Sequence, residues 1–146
     1  MPSVPRSSIP MVVGVLMIVL ASIGLMATAV NLHGATRDHA ITASPSLAKM
    51  MVMIGVLDGL VGLMHLTAGI AAVRYRRGAP DRAVTYALAR ILLTLGTVVA
   101  LLMFAHGELG RALDGGFVAA AAIMIAWPIV VIALMTRPGA RDACTI

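Results

Sequence analysis

Apolar residues along the chain are gathered into four long runs separated by short polar segments. The runs cover residues 10–31, 50–73, 83–105 and 116–136. Each is close to the ~20 residues with which an α-helix crosses ~30 Å of hydrocarbon. The first run is longer than the roughly 7 to 15 apolar residues of a signal peptide, so we expect it to be retained. The pattern predicts an all-α polytopic membrane protein, whose single domain, residues 1–146, is a four-transmembrane-helix bundle.

Composition favours the lipid bilayer as the partner of this chain. Of the 146 residues, 60% are hydrophobic and 12% are charged, and the mean hydropathy is +1.00. Ordinary soluble domains do not combine these values. The formal net charge of +5 comes mainly from arginines in the predicted loops, where membrane orientation requires them. We therefore expect no nucleic-acid partner. The single cysteine, Cys144, excludes a disulfide within the chain.

Basic residues are divided unequally between the two ends of the predicted helices. One end carries seven arginines: Arg6, Arg74, Arg76, Arg77, Arg82, Arg137 and Arg141. The other end carries three basic residues: Arg37, Lys49 and Arg111. The positive-inside rule therefore places both termini in the cytoplasm. Because Ala, Gly and Arg abound while Lys, Asn and Gln are scarce, we expect a multi-pass protein of a bacterial inner (plasma) membrane.

The second run carries two ionisable residues on the same helical face as three of its glycines. At ~100° per residue, these five positions form one stripe. The stripe, called the seam here, consists of Gly55, Asp58, Gly62, His65 and Gly69. Gly59 lies at its edge and forms a Gly-x-x-x-Gly pair with Gly55. Glycines allow a second helix to approach closely, so the seam should face protein or an internal cavity.

Two other runs offer surfaces that match the seam. In the first run, a stripe of small residues contains Gly14, Gly24 and Thr28, and we expect it to pack against the second run. In the third run, Arg90 and Thr97 lie on one polar face. Asp58, His65, Arg90 and Thr97 are therefore the candidate polar residues within the membrane.

The depth of these residues predicts which of them meet. Counting from Arg74 and Arg82 at ~1.5 Å per residue places His65 and Arg90 about 12 to 14 Å deep and Asp58 about 24 Å deep. We therefore expect no direct ion pair between Asp58 and Arg90. At the level of Asp58, the best partners within the chain are Thr97 and Ser22.

The state of Asp58 separates two functional hypotheses. A lone carboxylate at mid-membrane costs about 2.5 to 3.5 kcal/mol, so it should be protonated, hydrated or paired. If Asp58 joins helices or subunits, the protein is an oligomeric or accessory subunit of a membrane complex, assembled through the seam. We favour this hypothesis, with a homo-oligomer or other membrane subunits as partners. If Asp58 titrates in water, the protein is a small proton- or cation-translocating transporter or channel, whose path His65 and Arg90 would line.

Other chemistry has little support in the sequence. No nucleophile motif, cysteine pair or phosphate loop occurs, which favours a non-enzymatic role. His65 has no histidine at a matching depth, so we expect no cofactor within one chain. A haem held by the two His65 residues of a dimer is the alternative. An outer cluster is the alternative considered for a metal: His33, His39, His106 and Glu108. These residues lack a tight ligand spacing, so we expect no metal site.

Overall fold

The computed structural model describes residues 7–35, 45–104 and 115–145, which form four long helices and one short helix. The helices are α1 (Ile9–Ala35), α2 (Pro45–Val73), α3 (Ala79–Phe104), α4 (Gly115–Met135) and α5 (Pro138–Ala143). No strand occurs among the described residues. The prediction of an all-α fold is therefore confirmed for this part of the chain.

Three of the long helices match the dimensions of a membrane. The segments Ile9–Gly34, Lys49–Val73 and Ala79–Ala100 are long and apolar enough to cross a bilayer. In α4, the corresponding apolar segment is Ala121–Met135, which is shorter. Helices that are long and apolar enough to cross a membrane are thus confirmed for three of the four runs, and the fourth crossing stays a prediction.

The connector between α2 and α3 ends one helix and begins the next within a few residues. The backbone N–H of Arg76 donates to the carbonyl of Ala71 at 2.9 Å, and that of Tyr75 donates to the carbonyl of Ala72 at 3.0 Å. These two bonds satisfy the last carbonyls of α2, as in a Schellman motif. Tyr75 adopts a φ of 49° and Gly78 a φ of 80°, both left-handed. The chain reverses so sharply that α3 begins at Ala79, four residues before the predicted start at residue 83.

The helices pack most tightly at the end that holds this connector. α1 packs extensively on α2, α2 on α3 and α3 on α4, whereas α1 and α4 touch only lightly. The buried core includes Val13, Met17, Ala68, Ala72, Ala83, Ala87, Val131 and Met135. Alanines fill the α2 and α3 positions, which lets their backbones approach closely. α5 closes the same end, where its C-terminal neighbour Cys144 is buried.

Glycines of the seam form the contact between α1 and α2. A Cβ placed on Gly14 would lie 2.8 Å from the carbonyl oxygen of Gly69, so the two backbones touch. Further along, Leu25 covers Gly62 and Leu32 covers Gly55 at similarly short distances. The predicted close packing of the first and second runs is confirmed.

Two of the predicted packing glycines do not take part in this contact. A Cβ on Gly24 or Gly59 would meet nothing within 4 Å among the described residues. Gly59 lies on the edge of the seam that turns away from α1. Gly24 faces a region where none of the described residues lies close to α1.

Candidate functional site

Asp58 and Arg90 form an ion pair that connects α2 to α3. The Nη1 atom of Arg90 donates to Oδ1 of Asp58, and the two side chains are 20% and 30% exposed respectively. The Thr28 hydroxyl, from α1, donates to Oδ2 of Asp58 at 2.5 Å. The Nη2 atom of Arg90 lies 3.6 Å from the sulfur of Met124, from α4. These four residues, called the Asp58–Arg90 cluster, bring together all four long helices.

The prediction that Asp58 and Arg90 would not pair was wrong. It assumed that the third helix begins near Arg82, whereas α3 begins at Ala79. Asp58 lies 15 residues before Val73 and Arg90 lies 11 residues after Ala79, so their depths are about 22 and 16 Å. A difference of about 6 Å is within the reach of an arginine side chain.

The partners predicted for Asp58 were also wrong. The hydroxyl of Thr97 donates to the carbonyl of Leu93 at 2.8 Å, and that of Ser22 donates to the carbonyl of Ile18 at 2.9 Å. Each hydroxyl therefore donates to a backbone carbonyl of its own helix, as Ser and Thr commonly do in apolar helices. The hydroxyl that donates to Asp58 is that of Thr28 instead. Its position on the small-residue stripe of the first run was the sequence signal that could have identified it.

His65 is the centre of a second interhelical cluster, nearer the connector. Its ring stacks on Tyr86 of α3, with centroids 3.9 Å apart and planes inclined by 8°. Its Nε2 atom accepts a hydrogen bond from the indole N–H of Trp127, in α4, at 3.4 Å. His65 and Tyr86 are both buried. The residue that lies against His65 is thus Tyr86, whereas depth counting had placed Arg90 at this level.

A cavity of about 320 Å³ adjoins the Asp58–Arg90 cluster. Residues of all four long helices line it, and most of its wall is apolar. Two of the polar lining residues, Thr94 and Thr97, already donate to carbonyls of their own helix. The cavity therefore combines an apolar wall with one charged pair and the amide of Asn31. The guanidinium of Arg90, with five N–H groups against the two of Asn31, is its main source of hydrogen-bond donors.

The charges of the cluster balance each other. Asp58 accepts from Arg90 with one oxygen and from Thr28 with the other. A carboxylate that is paired and hydrogen-bonded avoids the cost of a lone charge among apolar helices. The site therefore links helices and presents donors, while the position that a cation would take on Asp58 holds a guanidinium.

Most of the candidate metal ligands lie outside the described residues. Of the outer cluster, only His33 is described, near the end of α1, while His39, His106 and Glu108 are not. In residues 7–35, 45–104 and 115–145, no group of three or more His, Cys, Asp or Glu side chains is arranged to hold a metal ion. The outer cluster itself is not tested by the structure.

Comparison of the chain with protein-family models, with curated proteins and with solved structures finds no match. Its chemistry is therefore inferred from its own residues. These form two polar clusters that join helices and a cavity that is bordered by one of the clusters.

Proposed function

We propose that the protein is a small four-span protein of a bacterial inner membrane, with cytoplasmic termini, that acts as an oligomeric or accessory subunit of a membrane complex. One observation carries this proposal: three ionisable side chains inside the described apolar helices, Asp58, His65 and Arg90, have partners within the chain. Residues used in this way stabilise a helical scaffold. They leave no lone titrating group of the kind that marks an ion path.

The distribution of arginines supports the proposed orientation. Six exposed arginines lie at the connector end and on the neighbouring α5 segment: Arg74, Arg76, Arg77, Arg82, Arg137 and Arg141. Lys49, near the beginning of α2, is exposed at the opposite end. Such an excess of Arg on one side favours a cytoplasmic location for that side.

We place the proposed assembly contact on the outward face of α2, because α1 of the same chain already covers the glycines of the seam. This outward face is defined by Val52, Val56, Gly59 and Leu63. Its three apolar residues are 42–52% exposed, and a Cβ placed on Gly59 would meet no other described residue within 4 Å. A glycine between exposed apolar side chains allows a helix of a second subunit to pack closely.

Native mass spectrometry of the protein released directly from membranes tests the assembly proposal. We expect a homo-oligomer or a complex with another membrane subunit. The Gly59→Leu variant should lose the assembly and keep its helical content. Gly96→Leu is the matched control, since Gly96 is also open but lies on α3. A wild-type protein that is monomeric and without a partner would contradict the proposal.

The cavity favours a second candidate function, translocation of protons or cations. The carboxylate of Asp58 borders the cavity and its side chain is 30% exposed, so a proton or cation that entered the cavity would reach it. A flux assay in liposomes separates the two candidates. A transporter would show pH- or potential-driven flux that Asp58→Asn abolishes while assembly persists. Wild-type protein without flux would eliminate this candidate.

A further inference from the structure

One side of α1 changes from buried to exposed between the connector end and the level of the cavity. Met17 is fully buried in the core that also includes Val131 and Met135 of α4. Gly24, seven residues further and on the same side of α1, is exposed, and a Cβ placed on it would meet no other described residue within 4 Å. Asn31, another seven residues on, lines the cavity. The side of α1 that is buried at Met17 is thus uncovered at Gly24 and borders the cavity at Asn31.

Arg90 offers the cavity donors that its protein partners do not use fully. A guanidinium has five N–H groups. The ion pair with Asp58 uses Nη1, while the contact of Nη2 is the sulfur of Met124, at 3.6 Å, which is a weak acceptor. Both oxygens of Asp58 already accept hydrogen bonds. A molecule in the cavity therefore meets a donor that lacks a strong acceptor.

The charge balance of the cluster limits what such a molecule can be. Asp58 and Arg90 neutralise each other, so an added anion would leave a net negative charge among apolar helices, which is costly. A cation would compete with Arg90 for Asp58. An uncharged acceptor adds no charge and satisfies the guanidinium. The apolar wall favours an apolar skeleton, and a volume of about 320 Å³ is within the range of small-molecule sites.

We propose that this cavity binds a membrane-soluble molecule in which an uncharged carbonyl group, held by Arg90, is carried on an apolar skeleton. Quinones and fatty-acid esters share this chemistry. The site is independent of the proposed assembly contact, which lies on the outward face of α2. The two proposals therefore fail separately. Absence of binding would contradict the cavity proposal, and a monomeric protein without a partner would contradict the assembly proposal.

Trp127 provides a direct readout, because it is the single tryptophan of the chain. It lies three residues, about one helical turn, from the cavity-lining Met124. Quinones quench tryptophan fluorescence at short range. We expect decylubiquinone, titrated into the purified full-length protein in detergent, to quench Trp127 with a saturable dependence on concentration. Quenching that rises linearly without saturation reports partitioning into the micelle only and would overturn the proposal.

Two neighbouring alanines give a matched pair of variants. Ala121 lines the cavity, whereas Ala122 is exposed and does not. Ala121→Leu fills part of the cavity and should weaken the apparent affinity for decylubiquinone by about tenfold. Ala122→Leu adds the same side chain on the exposed side of α4 and should leave the apparent affinity unchanged. Equal affinities for the two variants would exclude the cavity as the binding site.

Competition against the bound quinone identifies the recognised group. Three competitors share a ten-carbon chain and differ in their polar group. Methyl decanoate carries an uncharged ester carbonyl, decane carries no carbonyl, and decanoate carries a charged carboxylate. Recovery of fluorescence with methyl decanoate alone would assign the site to carbonyls in general. Saturable quenching that none of the three relieves would assign it to the quinone ring. Displacement by decane or decanoate as effective as by methyl decanoate would contradict recognition of an uncharged carbonyl.

Discussion

The guanidinium of Arg90 reaches across from α3 to the carboxylate of Asp58 on α2, whose second oxygen accepts a hydrogen bond from Thr28 on α1. This arrangement compensates the charges of two residues that would each be costly in an apolar environment. It also fixes the register of three helices, because each contact requires a particular depth. Along these helices, polar residues therefore act as specific points of attachment between otherwise similar apolar surfaces.

The contact of Gly14 with Gly69 predicts opposite effects for the same substitution at two positions of α1. Gly14→Ala should destabilise the protein by about 1–3 kcal/mol, because the added Cβ would overlap the backbone of Gly69. Gly24→Ala has free space and should stabilise α1 by about 0.5–1 kcal/mol. Unfolding in detergent, followed by circular dichroism, measures both. Similar effects of the two variants would contradict the close approach at Gly14.

Removal of the Thr28 hydroxyl should weaken the Asp58–Arg90 cluster. Thr28→Val keeps the shape of the side chain and leaves Oδ2 of Asp58 without its donor, at a cost of about 1 kcal/mol. Thr97→Val is the control, since the hydroxyl of Thr97 bonds only to its own helix. The free energy of unfolding should fall more for the variant at position 28. The reverse order would mean that Thr97 is the true partner of Asp58.

The stacking of His65 on Tyr86 predicts that stability depends on an aromatic ring at position 65 more than on a titratable group there. His65→Phe retains the stack and loses only the bond to Trp127. His65→Ala loses both and should be less stable than His65→Phe by about 1 kcal/mol. Thermal unfolding measures the difference. If His65→Phe were the less stable variant, the imidazole nitrogen would be the essential feature.

Burial should protect Cys144 from alkylation and give the protein a weak sensitivity to high pH. Cys144 is 2% exposed, and burial raises the pKa of its thiol above the ordinary value of 9.0. The folded state thus holds this proton more tightly, so the corresponding stability is present below pH 9.0 and is lost as the pH rises above it. Iodoacetamide should react slowly with native protein and rapidly after unfolding. Equal rates of alkylation for native and unfolded protein would contradict the burial of Cys144. In the Cys144→Ser variant, the free energy of unfolding should fall less as the pH rises above 9.0.

The sequence predicted the four long helices, though not α5, and the contact of the first two, because these features depend on patterns within single segments. Apolar runs define the helices, and glycines of the seam define a face onto which α1 packs. The ion pair was missed because its geometry depends on where α3 begins. That point follows from the left-handed conformation of Tyr75, a residue type that does not usually adopt it. The stack of His65 on Tyr86 likewise depends on the register between two helices, which periodicity alone does not determine.

The most direct test of the central claim, that Asp58 and Arg90 tie helices together as a pair, is a double-mutant cycle. Asp58→Asn, Arg90→Gln and the double variant are compared with wild type by their free energies of unfolding in detergent. Each single variant leaves a partly buried charge without its partner, so we expect each to lose about 1–3 kcal/mol. The double variant should be more stable than the sum predicts by at least ~1 kcal/mol. Additivity of the two losses within ~0.5 kcal/mol would contradict the claim.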